Sequence, residues 1–166
     1  MAFLTNSDEW RLLIFDTGPL WELTLYSAVH DLSFRSLEGE LRHLKEPAHH
    51  KRLTEFVEQF PRRTTSPHVV TEIGAWIRRT KKPGQSDIWR LVYNEFVAMN
   101  MDEKTIGFLD MRLGLVADKG MTDASVIHLG LQLAKQNPKI LTVDGGLVAE
   151  CRRSGINAVH LYEIIA

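Results

Sequence analysis

The chain has 166 residues, 44% hydrophobic and 25% charged, which allows one buried core, is short for two domains, and excludes a disordered or fibrous protein. Its 20 basic and 21 acidic residues give a net charge of −1, so the chain as a whole lacks the basic signature of nucleic-acid binding, although committing several acids to cations would tip the remaining surface to the basic side. No apolar run approaches the roughly 20 residues of a membrane span, the start "MAFLTNSDEWR" has no signal-peptide pattern, and the lone Cys151 excludes an internal disulfide and has no zinc-site spacing; the expectation is a cytoplasmic protein with an inert thiol.

In chain order, "LLIF" (12–15) reads as a short buried strand. A turn at Gly18-Pro19 leads into a helix through "LWELTLYSAVH". The polar stretch from about 31 to 59 predicts two helices, over "EGELRHLKE" and "HHKRLTEFVEQF", ended by Pro61. Residues 62–65 form a short extended piece, Ser66-Pro67 starts a helix through "VVTEIGAWIRR", and Pro83-Gly84 closes it. A helix follows from Ser86 to about Met99, and 101–118 is open between strand and helix. The last third predicts a helix "TDASVIHLGLQLAKQ" with Thr122 as its N-cap, a turn "NP", a strand "KILTV", a turn "DGG", a helix "LVAECRRSG" and a final strand "INAVHLYEI". Strands alternating with helices imply a parallel sheet with helical crossovers.

Four acids stand at the ends of these elements. Asp16 and Asp144 each follow a strand, where ligands of open parallel sheets gather. Glu72 lies at the edge of the apolar stripe Val69, Ile73, Trp76 and Ile77, and Asp123 opens an almost wholly apolar helix. Each also has a plainer reading: Asp144 as a turn residue, Glu72 as a surface acid beside Arg79, and Asp123 as first-turn dipole stabilisation. Taken together at the inward ends of one sheet, they favour a shared site. Packed carboxylates repel one another unless cations neutralise them, and oxygen-only ligands select hard ions such as Mg²⁺ or Mn²⁺.

Other chemistries remain as alternatives. Asp-Thr-Gly (16–18) is also the aspartic-protease tripeptide, but those enzymes are built from hairpins and not from βα units. An aspartyl-phosphate phosphatase needs a second acid two residues after the first, where this chain has Gly18. The histidines His49 and His50 point about 100° apart on a helix and find no third ligand, so they read as solvated. His68 and His128 read as core or edge residues.

The segments "IFDTGPL", "TSPHVVTEIGAW", "GMTDASVIHLG" and "ILTVDGGL" occur in the order of a known pattern. With them the chain resembles the PIN-domain ribonucleases of the VapC toxin type over residues 12 to 161. The resemblance implies a three-layer α/β fold with a central, mostly parallel sheet of four to five strands flanked by helices. It implies a single nuclease domain over 1–166 with residues 31–60 as a helical elaboration. It further implies hydrolysis of RNA phosphodiester bonds with Mg²⁺ or Mn²⁺ held by Asp16, Glu72, Asp123 and Asp144, and with Thr17 and Thr142 as hydroxyl supports. Candidate RNA-docking cations are Arg62, Arg63, Arg152 and Arg153, with Arg78, Arg79, Lys81 and Lys82 equally read as dipole-favourable charge at a helix end. An antitoxin protein and a second copy of the chain are the partners left open, as is a catalytically silent module that binds RNA or a partner on the same fold.

Overall fold

The computed structural model describes residues 11–30, 34–79 and 85–166. Its centre is β1 (Leu12–Phe15), four apolar residues that are all essentially inaccessible, as a strand covered on both faces requires. Beside it lie β2 (Arg62–Thr65) and β4 (Pro138–Thr142), with β3 (Met101–Glu103) and β5 (Asn157–His160) at the edges. Among the described residues the sheet order is β3-β2-β1-β4-β5 and every pairing is parallel, with Ile14 opposite both Thr64 and Ile140. The chain therefore builds outward from β1 in one direction, then crosses back to add β4 on the other side. That reversal makes the β1/β4 boundary a topological switch point, where the loops leaving the two carboxyl ends diverge and open a crevice.

Helices cover the sheet. α1 (Thr17–His30) is buried almost all round, as its apolar composition demands, and α3 (Pro67–Arg79) buries only the stripe Val69, Ile73 and Ile77. α4 (Gln85–Ala98) packs on α1 and α3, α6 (Met121–Gln132) on β4 and α3, and α7 (Gly145–Arg153) on β4 and β5. α6 lies so close to the sheet that a Cβ on Gly130 would press on Ile140 and Ile156. Buried Cys151 faces this core, and burial pushes its thiol up to about 12, leaving it protonated and inert.

Several boundaries differ from expectation. α1 starts at Thr17, directly after Asp16, so Gly18 and Pro19 belong to its first turn, where proline needs no amide partner. The first helix predicted within 31–59 is a short 3-10 turn, Arg35–Glu40, and 41–46 is irregular; only α2 (Pro47–Glu58) forms. Glu22 explains the loss. Its carboxylate, buried on α1, accepts the backbone N–H groups of Arg42, His43 and Leu44 at 2.9–3.0 Å and meets His43 Nδ1 at 3.2 Å, which takes those amides away from any helix.

The open stretch 101–118 contains both strand and helix: β3, a 3-10 turn at Phe108–Asp110, and α5 (Leu113–Lys119). α6 begins at Met121 with Gly120 as N-cap, and Thr122 caps nothing. The final strand is half its expected length, because His160 and Glu163 form a capping box that starts α8 (Leu161–Ile165). His49 and His50 are half-buried and partly packed: His49 Nδ1 meets the carbonyl of His43 at 3.1 Å, and the His50 ring stacks on Tyr26. Pro83-Gly84, Lys81 and Lys82 lie outside the described residues. Among the described residues, no helix is long and apolar enough to cross a membrane.

Candidate active site

At the switch point the last residues of β1 and β4 run side by side, Phe15 opposite Leu141, and Asp16 continues the ladder by donating its amide to the Leu141 carbonyl at 3.0 Å. The two following turns are in contact: a Cβ on Gly18 would overlap Val143, the residue before Asp144. Only glycine lets α1 start this close to the β4–α7 turn, and the contact draws the two aspartates to one place.

Threonines organise the acids. Asp16, 6% exposed, accepts the Thr17 amide on Oδ1 at 2.7 Å and the Thr142 hydroxyl on Oδ2 at 2.6 Å. The Thr17 hydroxyl donates to Glu72 Oε2 at 2.7 Å, and Thr142 Oγ1 also accepts the Asp144 amide at 3.0 Å. Two hydroxyls thus link three of the four acids, Glu72 through Thr17 and Asp144 through Thr142. Glu72 is half-buried and makes no ion pair with Arg79 among the described residues. Asp144 also serves as the turn residue its sequence suggests: Oδ1 accepts from Gly146 N at 2.6 Å and Leu147 N at 3.2 Å and caps α7, while Oδ2 has no hydrogen-bonded partner among the described residues.

Asp123, in the first turn of α6, is half-buried and has no hydrogen-bonded partner for its carboxyl among the described residues, but it feels Asp16, Asp144 and Glu72, and the opposing charge of Lys119, through space. The α6 backbone that carries it is fixed from below, where the Ser66 and Ser125 hydroxyls meet at 2.8 Å in the core. All four predicted acids therefore share one electrostatic field. Among the described residues, however, no three His, Cys, Asp or Glu side chains converge on a single ion position.

The field has a measurable consequence. Burial raises Asp16 from 3.8 to about 6, against the pull of its two hydrogen bonds and with a smaller push from Glu72 and Asp144. Burial and then the charges of Asp16, Asp144 and Glu72 raise Asp123 to about 7. Both acids hold protons more tightly folded than unfolded. Their favourable contribution is fully present below about pH 4 and is lost as pH rises through about 6 and 7.

For fully enclosed Asp16 the loss is on the order of 2–3 kcal/mol at roughly 1.4 kcal/mol per unit; the more exposed Asp123 adds less than its shift implies. We expect the urea midpoint in EDTA to fall between pH 5 and pH 8 relative to that of an Asp16→Asn/Asp123→Asn double variant. A difference that stays flat or rises over that range would show that the two carboxyls do not share the field.

The predicted RNA-docking arginines are elsewhere. Because β2 runs parallel to β1, Arg62 and Arg63 at its start lie at the amino end of the sheet, opposite the acids. Arg63 donates to the carbonyls of Val57 and Met99, and Arg62 to Gln136. Arg152 and Arg153 lie at the far end of α7 from Asp144, where they pair with Glu163 and Glu150. Lys119, at the end of α5, is a cation that acts on Asp123, and others line a neighbouring cleft. A cleft of about 470 Å³ opens beside Gly18 and Val143, with Arg42, His43 and Arg79 in its lining and Trp21 and Trp76 in its walls. Its signal in the sequence is the spacing of Glu72, Trp76 and Arg79, at i, i+4 and i+7 on one face of α3.

No protein-family model matches the chain, and no curated protein does. Among solved structures, it is similar to a domain of a functionally unknown protein from Methanocaldococcus jannaschii DSM 2661, at 14% identity and a TM-score of 0.46, over 90% of this chain and 89% of that one.

Proposed function

We propose that the protein is a divalent-metal-dependent ribonuclease of the PIN type, acting on RNA phosphodiester bonds at the β1/β4 switch point. The observation that carries this reading is the gathering of Asp16, Glu72, Asp123 and Asp144 from four separate segments at one end of the sheet, three of them joined through Thr17 and Thr142 and the fourth, Asp123, interacting with the other three through space. Accumulated negative charge on hard oxygen donors is what a Mg²⁺ or Mn²⁺ ion compensates. The four carboxylates are the groups that would hold it. When bound, such an ion supplies acidity to water and stabilises charge developing on the phosphate.

The residues divide the remaining work. Thr17 and Thr142 fix Asp16 in one orientation, so its donors are preorganised. Asp144 presents Oδ2 while Oδ1 stays on the α7 amides. Asp123, whose carboxyl has no hydrogen-bonded partner among the described residues, is the acid left to orient the attacking water.

A second reading has its own support. No ion position is formed by three side chains among the described residues, which suits a module that keeps the acids' fold and binds RNA or a protein without turnover. A toxin held by an antitoxin and a housekeeping ribonuclease would use the same acids, and an adjacent small antitoxin reading frame would separate them. The deciding experiment is incubation of a mixed structured RNA pool with the protein in Mg²⁺, in Mn²⁺ and in EDTA. Cutting in both metals and none in EDTA is expected; a pool left intact in all three supports the silent module.

A further inference from the structure

The cleft beside the acids is itself unassigned. Gly18, two residues past Asp16, and Val143, one before Asp144, are among its lining residues, so it adjoins the turns that carry those two carboxylates. Its volume of about 470 Å³ falls in the range of small-ligand sites, roughly 300–1,000 Å³. One wall comes from the face of α3 that carries Glu72, with Trp76 one turn on and Arg79 nearly two turns on. Buried Trp21 meets Trp76 edge-to-face at 5.7 Å and 78°, which fixes the half-buried Trp76 ring. Gly39, Glu40, Arg42 and His43 also line the cleft, and the amides of 42–44 are fastened to Glu22, so that Arg42 and His43 sit on a constrained backbone. Glu22, though it lines the cleft, turns both oxygens to those amides.

A polyanion approaching four carboxylates needs cations within reach of the same crevice. Arg62, Arg63, Arg152 and Arg153 are engaged elsewhere, whereas Arg42 and Arg79 are exposed, line the cleft and make no ion pair among the described residues. The cleft lining combines the Trp76 indole with two guanidinium groups and one further acid, Glu40, and the indole and guanidinium groups have the chemistry that receives an unstacked base and its phosphate. A base still paired in a duplex could not enter such a cleft.

We propose that this cleft holds one unstacked nucleotide of single-stranded RNA next to the scissile phosphate, with the base on Trp76 and the phosphate between Arg42 and Arg79. The inference rests on the nuclease reading for its position along the substrate, while the binding itself can be tested without cleavage. It makes the preferred substrate single-stranded, with little preference among bases, because every base has a face to stack.

The test uses the full chain carrying Asp16→Asn, so that RNA survives. Affinity for a labelled hexauridylate is measured by anisotropy, and for adenosine 5′-monophosphate by tryptophan quenching, in EDTA, with inorganic phosphate and deoxyadenosine monophosphate as comparisons. Trp76→Ala should weaken binding about tenfold, Trp76→Phe should restore most of it, and Arg42→Ala and Arg79→Ala should each weaken it several-fold and flatten its salt dependence. The two arginines are exposed, so their variants fold even if Trp76→Ala does not.

Hexauridylate binding that is absent, or unchanged in the arginine variants and Trp76→Phe/Arg42→Ala, overturns the proposal. Trp76- and arginine-dependent binding by a wild type that cuts no RNA would overturn the nuclease reading and leave the subsite standing. Metal-dependent cutting with KM unmoved by these substitutions would do the reverse.

Discussion

Asp16→Asn should abolish metal-dependent RNA cleavage, with a loss of roughly three orders of magnitude, and leave the fold intact. The substitution is nearly isosteric, and the Thr17 amide keeps an acceptor in the new Oδ1. On the other side the amide of asparagine donates, and the Thr142 hydroxyl, which now gives its proton to Oδ2 at 2.6 Å, can rotate to accept. What disappears is a charge at the centre of the acid cluster. Removing one group that stabilises developing charge typically costs about a hundred- to a thousandfold, and the loss of an ion ligand adds to it. Because burial holds the Asp16 carboxyl up near 6, its ionised form is a burden on the metal-free fold at pH 7.5. The melting temperature in EDTA should therefore be equal to or above that of the wild type. Cutting within tenfold of wild type, with metal dependence retained, would remove Asp16 from the centre of the reaction.

Asp16, Asp123 and Asp144 are legible in the sequence because each stands where a periodic pattern ends or begins, and such positions in a parallel sheet point to one edge; Glu72, in the middle of α3, is legible only as an acid flanking an apolar stripe. Thr17 and Thr142 enter only through the family resemblance, and their hydroxyls donate to Glu72 and Asp16. The docking cations are not legible, because clustered arginines mark positive charge without saying which end of a strand carries it. Strand direction supplies the missing information: Arg62 and Arg63 begin a strand parallel to β1 and so lie opposite its carboxyl end. The cleft depends on contacts between segments far apart, Trp21 with Trp76 and Gly18 with Val143. Of these only the α3 spacing leaves a trace in one stretch of sequence. His160 shows the same limit on a smaller scale. "VHLYEI" alternates like a strand, yet its imidazole accepts the Tyr162 amide, and its Nε2 meets the Val143 carbonyl at 2.7 Å, which turns the chain into α8.

Glu22 is the case in which tertiary structure most plainly overrides local pattern, and it leads to the second large effect. "EGELRHLKE" has the composition and charge spacing of a helix, but a helix over 41–44 would leave a carboxylate buried on α1 without partners, at a cost of several kcal/mol. Turning three consecutive amides toward that carboxylate satisfies the charge and fixes the segment as a wall of the cleft.

Glu22→Ala should accordingly destabilise the protein by about 3 kcal/mol or more, since three N–H groups lose a charged acceptor and the buried ones among them lose their only compensation for leaving water. Glu22→Gln keeps one acceptor oxygen and should lie between. Urea denaturation gives the stability, and hydrogen exchange at Arg42, His43 and Leu44 should rise in Glu22→Ala well beyond exchange in the β1 and β4 core. The two faults separate there: a general loss of packing would speed exchange everywhere, whereas release of the segment speeds it locally and weakens hexauridylate binding while Asp16 and Thr142 stay in place. If Glu22→Ala changes stability by less than about 0.5 kcal/mol, the level of an ordinary surface substitution, the 41–44 segment is held by its own apolar contacts at Leu41 and Leu44, and the buried carboxylate is not what overrides the helical pattern.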